Sequence, residues 1–293
     1  MNSLKLHDQD SFLDYRKEQE QLHREKTDSN DPFSSILTIE INTTELCNRS
    51  CVFCPRSDPQ VYPNRNLHMT QMGAMYIADH LAEINYKGKI SFSGYSENSL
   101  NPEFIDIVNT FRRHLLDATR ECNTNGDKLD EQYVERLFDA GLDFLYINLY
   151  DGLHQIEHFD EVMRNIDEEK YSYRAHSDFD HGLILNNRGG NITWLGDDEK
   201  EVEELKGTPC YYPFYKMFID WNGDVLFCSN DWGKERVVGN IIQQPIGEVW
   251  FSKEMAKIRK KLSVGDRSAS PCNKCNVKGT LFGKQSFDLI NEL

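Results

Sequence analysis

Three cysteines within eight residues, Cys47-Asn-Arg-Ser-Cys51-Val-Phe-Cys54, constrain this chain more than anything else in it. The spacing is C-x3-C-x2-C, directly after an apolar strand-like run, Ile36–Asn42. Three thiolates on one loop can hold three irons of a four-iron cubane and leave the fourth open. An open position suits a catalytic metal; a structural site is closed. The competing reading is zinc held by these cysteines and a distant histidine, although zinc sites usually show paired C-x2-C knuckles.

The chain has eight cysteines. In a reducing compartment, clustered thiols more often hold metal than form disulfides. Cys210, Cys228, Cys272 and Cys275 form a second group, the last two as a C-x2-C knuckle. Four thiolates fit a closed cubane or a structural zinc equally well, and spacing alone does not choose. Cys122, left over, sits in a short strand-like segment and reads as a small buried side chain.

Composition narrows the function classes. A net charge of −15 argues against nucleic-acid binding, which relies on basic surface. No run approaches the roughly 18 apolar residues of a membrane span. The N-terminus, MNSLKLHDQD, carries no apolar signal core, so the expected location is cytoplasmic.

Residues 1–34 read as a polar extension with an amphipathic helix around Phe12–His23, broken at Asp31-Pro32. From Ser35 to about 205, strand-like and helical periodicities alternate. The expected strands are Ile36–Asn42, Lys89–Ser93, Arg120–Asn123, Leu142–Leu149 and Tyr171–His176. The expected helices are Thr70–Ile84, Asn101–Leu116, Leu129–Ala140 and His158–Ile166. Such alternation implies a parallel sheet with right-handed crossovers. The fold expected is α/β, a partial (β/α)6 TIM-like barrel. Residues 206–293 read as a small second domain, with a hairpin at Asn222-Gly223, a helix over Ile246–Leu262 and a knuckle over Pro271–Lys278.

On these motifs the chain resembles the radical S-adenosylmethionine (SAM) superfamily over about Ser35–His181, and its C-terminal part resembles the twitch domain, the one-cluster relative of SPASM. The resemblance implies two [4Fe-4S] clusters, one on Cys47, Cys51 and Cys54, the other on Cys210, Cys228, Cys272 and Cys275. It implies SAM contacts at Phe53, at Tyr95-Ser96-Glu97-Asn98 where the family usually has Gly-Glu-Pro, at Thr124-Asn125-Gly126 and at Asn148.

From Ile39 to about Val277 the chain is more specifically similar to the radical SAM dehydrogenases of aminocyclitol biosynthesis. Cys47-Asn48-Arg49, Lys89–Phe92, Thr124–Asp127, His176-Ser177-Asp178, Asn187-Arg188-Gly189-Gly190 and Val238–Ile241 carry that likeness. It implies oxidation of a secondary alcohol on a sugar or aminocyclitol-like small molecule, with Arg188 at the reacting oxygen. Glu40, Tyr95, Asn230 and Asp231 would also touch substrate. A 5′-deoxyadenosyl radical would take hydrogen from the carbinol carbon, and the resulting ketyl would pass an electron to the second cluster. An external donor such as flavodoxin or ferredoxin would start the cycle. Three rival readings are a peptide maturase, a sugar epimerase using Cys122 as hydrogen donor, and a zinc-bound scaffold with no catalysis.

Overall fold

A computed structural model describes residues 9–28, 30–176, 186–192 and 198–292. Ser177 and Asp178 of the similarity lie outside the described residues.

Five strands run parallel: β1 (Thr38–Ile41), β2 (Lys89–Phe92), β3 (Thr119–Thr124), β4 (Phe144–Leu149) and β5 (Tyr171–Ala175). The sixth parallel strand is β6 (Lys216–Ile219), which pairs with β1, Glu40 opposite Phe218. Its hairpin partner β7 (Asp224–Leu226) and then β8 (Val237–Asn240) continue antiparallel. The eight strands form one sheet in the order β5-β4-β3-β2-β1-β6-β7-β8. The α/β barrel-like class is as expected. The hairpin differs: it extends the same sheet, because β1 has a free edge once β2 occupies its other side.

Side-chain alternation sorts the two faces. Ile39, Ile41, Ile90, Phe92, Cys122, Leu145 and Ile147 face outward into the main core. There they meet the helices α2 (Gln71–Glu83), α3 (Phe104–His114), α4 (Glu131–Asp139) and α5 (Gln155–Val162) through Ile77, Leu81, Ile107, Phe111, Val134 and Phe159. The alternate residues Glu40, Ser91, Glu121, Asn148 and Arg174 face inward and line a cavity. A parallel strand buried on both faces is normally apolar throughout. Polar residues at every second position therefore mark the inside of the barrel as a site.

Local rules explain most boundaries. Thr70 caps α2, accepting a hydrogen bond from the Gly73 N–H at 3.1 Å. Asp130 caps α4 through the Tyr133 N–H at 2.8 Å. Gly141 then turns the chain with φ 103°. The helix expected from Asn101 begins instead at Phe104, since Asn101 Oδ1 takes the Glu103 N–H at 2.9 Å and Asn101 serves as a bend. The helix expected over Ile246–Leu262 is two: α8 (Ile246–Trp250) and α9 (Lys253–Ser263), the latter capped by Ser252.

At the chain's start, α1 (Gln9–Lys26) docks on the body. His23 Nε2 lies 3.1 Å from the Ser34 carbonyl. Arg24 donates to that carbonyl at 3.0 Å and to Ser286 Oγ at 2.6 Å. Ser286 belongs to a C-terminal helix, α10 (Lys284–Glu292), which comes after the short α6 (Asp198–Glu204) and α7 (Tyr212–Tyr215) in the chain's second half.

Candidate active site

At the carboxyl ends of the strands lies a cavity of about 350 Å³. Cys47, Cys51 and Cys54 line it, together with Phe53, Glu40, Tyr95, Ser96, Glu97, Thr124, Asn125, Asn148, Arg188 and Asn230. Nearly every residue expected in the site thus converges. Burial and the two neighbouring thiols push the Cys51 thiol up to about 12. Such a thiol is protonated until a metal displaces its proton.

The cysteine loop is pinned from below. The Arg49 guanidinium makes paired bonds to Asp127 (2.6 and 2.6 Å) and Asp151 (2.9 and 2.7 Å). These acids lie just after β3 and β4. Asn48 joins Asp127 at 2.7 Å and receives the Asn125 amide at 2.8 Å. Asn64 brackets Cys47, accepting from its N–H at 2.9 Å and donating to its carbonyl at 3.0 Å.

Glu97 is buried and saturated. It accepts from Thr124 Oγ1 at 2.8 Å, the Asn125 N–H at 2.7 Å and Ser99 Oγ at 2.7 Å. Burial raises its pKa against those bonds. It therefore fixes the Thr124-Asn125 segment as well as facing the cavity. Asn98 stands behind the wall, bonded to the Thr43 N–H and hydroxyl at 3.1 and 2.7 Å. Gly126 also stands behind it, with φ 79° and a Cβ position 2.4 Å from Phe159.

Phe53 stacks on His176 (centroids 5.4 Å, 17° between planes), and Tyr150 covers His176 from another side at 4.6 Å. Asn148 donates to the Thr124 carbonyl at 2.8 Å, so its oxygen meets His176 Nε2, also at 2.8 Å. Burial, then the Arg174 and Arg188 charges, hold His176 down to about 3. Sequence reasoning does not find this neutral aromatic wall, because its rings come from three loops far apart in the chain.

Arg188 has φ 49°, unusual outside glycine. Its guanidinium stacks over Trp232 at 4.7 Å, and its Nε is buried with no hydrogen-bond partner. An orphaned buried donor in a polar cavity fits a ligand oxygen. Tyr95 is 1% exposed, packs on Phe218 and Trp232 at 4.6 and 4.8 Å, and donates to the Asp231 carbonyl at 3.1 Å. The Asp231 carboxylate is turned away, taking the Glu235 and Arg236 N–H groups at 3.0 and 2.9 Å.

The other four cysteines, Cys210, Cys228, Cys272 and Cys275, line a second, small cavity walled by Phe227, Leu262 and Val277. Burial, then its cysteine neighbours, push the Cys272 thiol up to about 12. Among the described residues no three His, Cys, Asp or Glu side chains close around one metal-ion position. Four thiols around one cavity are the ligand number of a closed four-iron cubane and of a structural zinc alike.

Two family profiles match the chain. The radical SAM superfamily profile matches residues 41–176, and the SPASM iron–sulfur cluster-binding domain matches residues 210–276. This chain is a radical SAM enzyme. SAM and a four-iron cluster come with the radical SAM domain, and further iron–sulfur binding with SPASM. The radical SAM chain is 28% identical over 258 residues to the SAM-dependent 2-deoxy-scyllo-inosamine dehydrogenase of Niallia circulans, covering 84% of this chain and 94% of that one. A probable GTP 3′,8-cyclase of Methanococcus aeolicus is 28% identical over 116 residues, 39% of this chain and 37% of that one. Among solved structures, BtrN in complex with AdoMet and 2-DOIA superposes with a TM-score of 0.73 at 26% identity, over 85% of this chain and 96% of that one. An open conformation of BtrN scores 0.63 at 23% identity, covering 83% and 92%. No helix among the described residues of this radical SAM chain is long and apolar enough to cross a membrane.

Proposed function

We propose that the chain is a radical SAM dehydrogenase that oxidises a secondary alcohol of a sugar or aminocyclitol-like small molecule to a ketone. Its setting is the cytoplasm, with a flavodoxin or ferredoxin as donor. The observation that carries this reading is a shared wall: Tyr212 and Asn230 line both cysteine cavities, and Arg188 faces one while Gly189 faces the other. One layer of side chains separates them, a short path for an electron leaving the substrate.

Cys47, Cys51 and Cys54 would hold the first cluster, and the other four cysteines the second. When bound, SAM and the first cluster would supply the radical that abstracts hydrogen at the carbinol carbon, and the second cluster would supply an electron acceptor. The chain's part is positioning and charge. Arg188 offers Nε to the alcohol oxygen and steadies its growing negative charge. Glu40 takes the hydroxyl proton. Ser93 donates to it at 2.5 Å, Lys216 pairs with it at 2.6 Å, and its charge acts on Arg188. Phe53, Tyr150 and Trp232 form an aromatic rim that limits water.

The epimerase alternative lacks its hydrogen donor. Cys122 is 1% exposed and packs in the core on the helix side of β3, away from the cavity.

Anaerobic turnover of candidate polyols tests the proposal. Equal amounts of 5′-deoxyadenosine and ketone are expected from the holoenzyme. A Cys228→Ser enzyme should still cleave SAM yet make no ketone. Ketone at the normal rate from that variant, or a redox-neutral product from the wild type, would sink the reading.

A further inference from the structure

Arg267 is a buried cation with no acid beside it. It lies between α9 and the C-x2-C knuckle, 7% exposed, and lines the second cavity with Cys210, Cys228, Cys272 and Cys275. Its hydrogen bonds run to neutral carbonyls: Nε to Thr208 at 3.2 Å, one terminal nitrogen to Val277 at 3.2 Å and the other to Pro209 at 3.4 Å. The preceding residue, Asp266, turns instead to Lys261 at 3.2 Å. The chain has 48 acids against 33 lysines and arginines, yet among the described residues no carboxylate pairs with Arg267.

A buried guanidinium is costly unless an anion shares its surroundings. Arg259 shows that cost: it too bonds only carbonyls, those of Pro213 and Trp250, and burial holds it down to about 9. A neutral amide donor could bridge carbonyls without such a cost, so the bonds of Arg267 do not account for its charge. The four cysteines do. Holding iron they are thiolates, and a cubane with four thiolates is an anion that becomes more negative on reduction. The cavity walls are apolar, Phe227, Leu262 and Val277, so water screens the attraction little. A fixed positive charge there favours the reduced form. Asn230 acts in the same direction. Its backbone N–H and its side-chain amide nitrogen donate to Cys228 Sγ at 3.4 and 3.8 Å, and donors on a cluster sulfur stabilise the more negative state.

We propose that Arg267 is the buried counter-charge of the second cluster and that, with the Asn230 amide on Cys228, it raises that cluster's reduction potential. The direction suits a cluster that accepts an electron rather than one that supplies it. Arg267 does not line the main cavity, so it is a positioning residue for charge and acts through the cluster. The proposal rests on the dehydrogenase reading for the acceptor role, whereas the potential itself belongs to the resting holoprotein.

A redox titration of the reconstituted full chain, followed by electron paramagnetic resonance, tests it. Added SAM changes the signal of the first cluster and so tells the two apart. Arg267→Gln should lower the midpoint of the second cluster by about 59 mV, a tenfold change in a one-electron equilibrium. Arg267→Lys should keep most of the wild-type value. Asn230→Leu, in a different loop, should shift the same equilibrium the same way by about threefold. An unchanged or raised midpoint in iron-replete Arg267→Gln overturns the proposal even if urea stability falls, because a purely structural role would lower stability alone. Where Arg267→Gln holds no iron, Asn230→Leu decides on the same terms. A wild-type chain that takes up only about four irons together with one zinc also overturns it. Ketone formation is assayed separately. A lowered midpoint without ketone from any polyol would keep the role of Arg267 and discard the dehydrogenase; ketone with unchanged midpoints would do the reverse.

Discussion

Arg188 sits in left-handed backbone geometry, which costs a residue with a Cβ on the order of 1 kcal/mol or more. The glycines beside it explain why the turn persists. A Cβ on Gly189 would lie 2.6 Å from the Asn230 carbonyl oxygen, and one on Gly190 would lie 2.6 Å from Lys274. The turn is wedged against the loops of the second cysteine group, so Arg188 is aimed by packing. Arg188→Met should lower ketone formation by about 100-fold or more. SAM affinity, measured by dialysis, should stay near wild type, and a parallel loss of SAM binding would show a structural role instead. Gly126 offers a stability test. A methyl there meets Phe159 at 2.4 Å, so Gly126→Ala should cost about 1–3 kcal/mol in urea unfolding. Gly207 has a similar φ of 75° but nothing within 4 Å, so Gly207→Ala should cost only about 1 kcal/mol.

The cysteine loop has no regular structure beyond one short turn, Pro55–Ser57, and owes its shape to the acidic turns at the ends of β3 and β4. Arg49 ties it to Asp127 and Asp151, and removing an outer partner of this kind typically weakens metal affinity about 10- to 100-fold. Arg49→Gln should therefore lose iron faster during anaerobic gel filtration, without a matching fall in urea stability. Helix α1 supplies a pH test. His23 is buried, and burial holds it down to about 4, below the ordinary 6.5. Its lowered folded pKa means that acid favours the unfolded chain, which binds the proton first. Stability should fall as pH drops from about 6.5 toward 4, by up to about 1.4 kcal/mol per pH unit. His23→Gln should flatten that part of the profile, and an unchanged slope in the variant would show that other groups titrate.

Across the whole molecule the two cysteine groups are joined by one continuous sheet, since β6 lies against β1 and leads into the second group. Ligands that bind the folded chain alone stabilise it, so the iron-free protein should melt below the holoprotein. Cys210→Ser should lose about half the iron and part of that gap, and identical melting of apo and holo forms would contradict it. Sequence alone marked the two cysteine groups and the kinds of element between them. The two cysteine spacings, the alternation of helix and strand from Ser35 and the Asn187-Arg188-Gly189-Gly190 turn are local patterns, and local patterns set ligand type and element type. The capping of α2 by Thr70 and of α4 by Asp130 has the same local origin. Only the tertiary structure decided the rest. Which strand closes the sheet beside β1, that Lys89, Glu121, Arg174 and Arg16 meet inside the barrel, that Asp231 turns its carboxylate away, and that Tyr212 and Asn230 separate two cavities all depend on residues far apart in the chain. Long-range pairing is chosen by collective burial and charge compensation, and no window of sequence carries those sums.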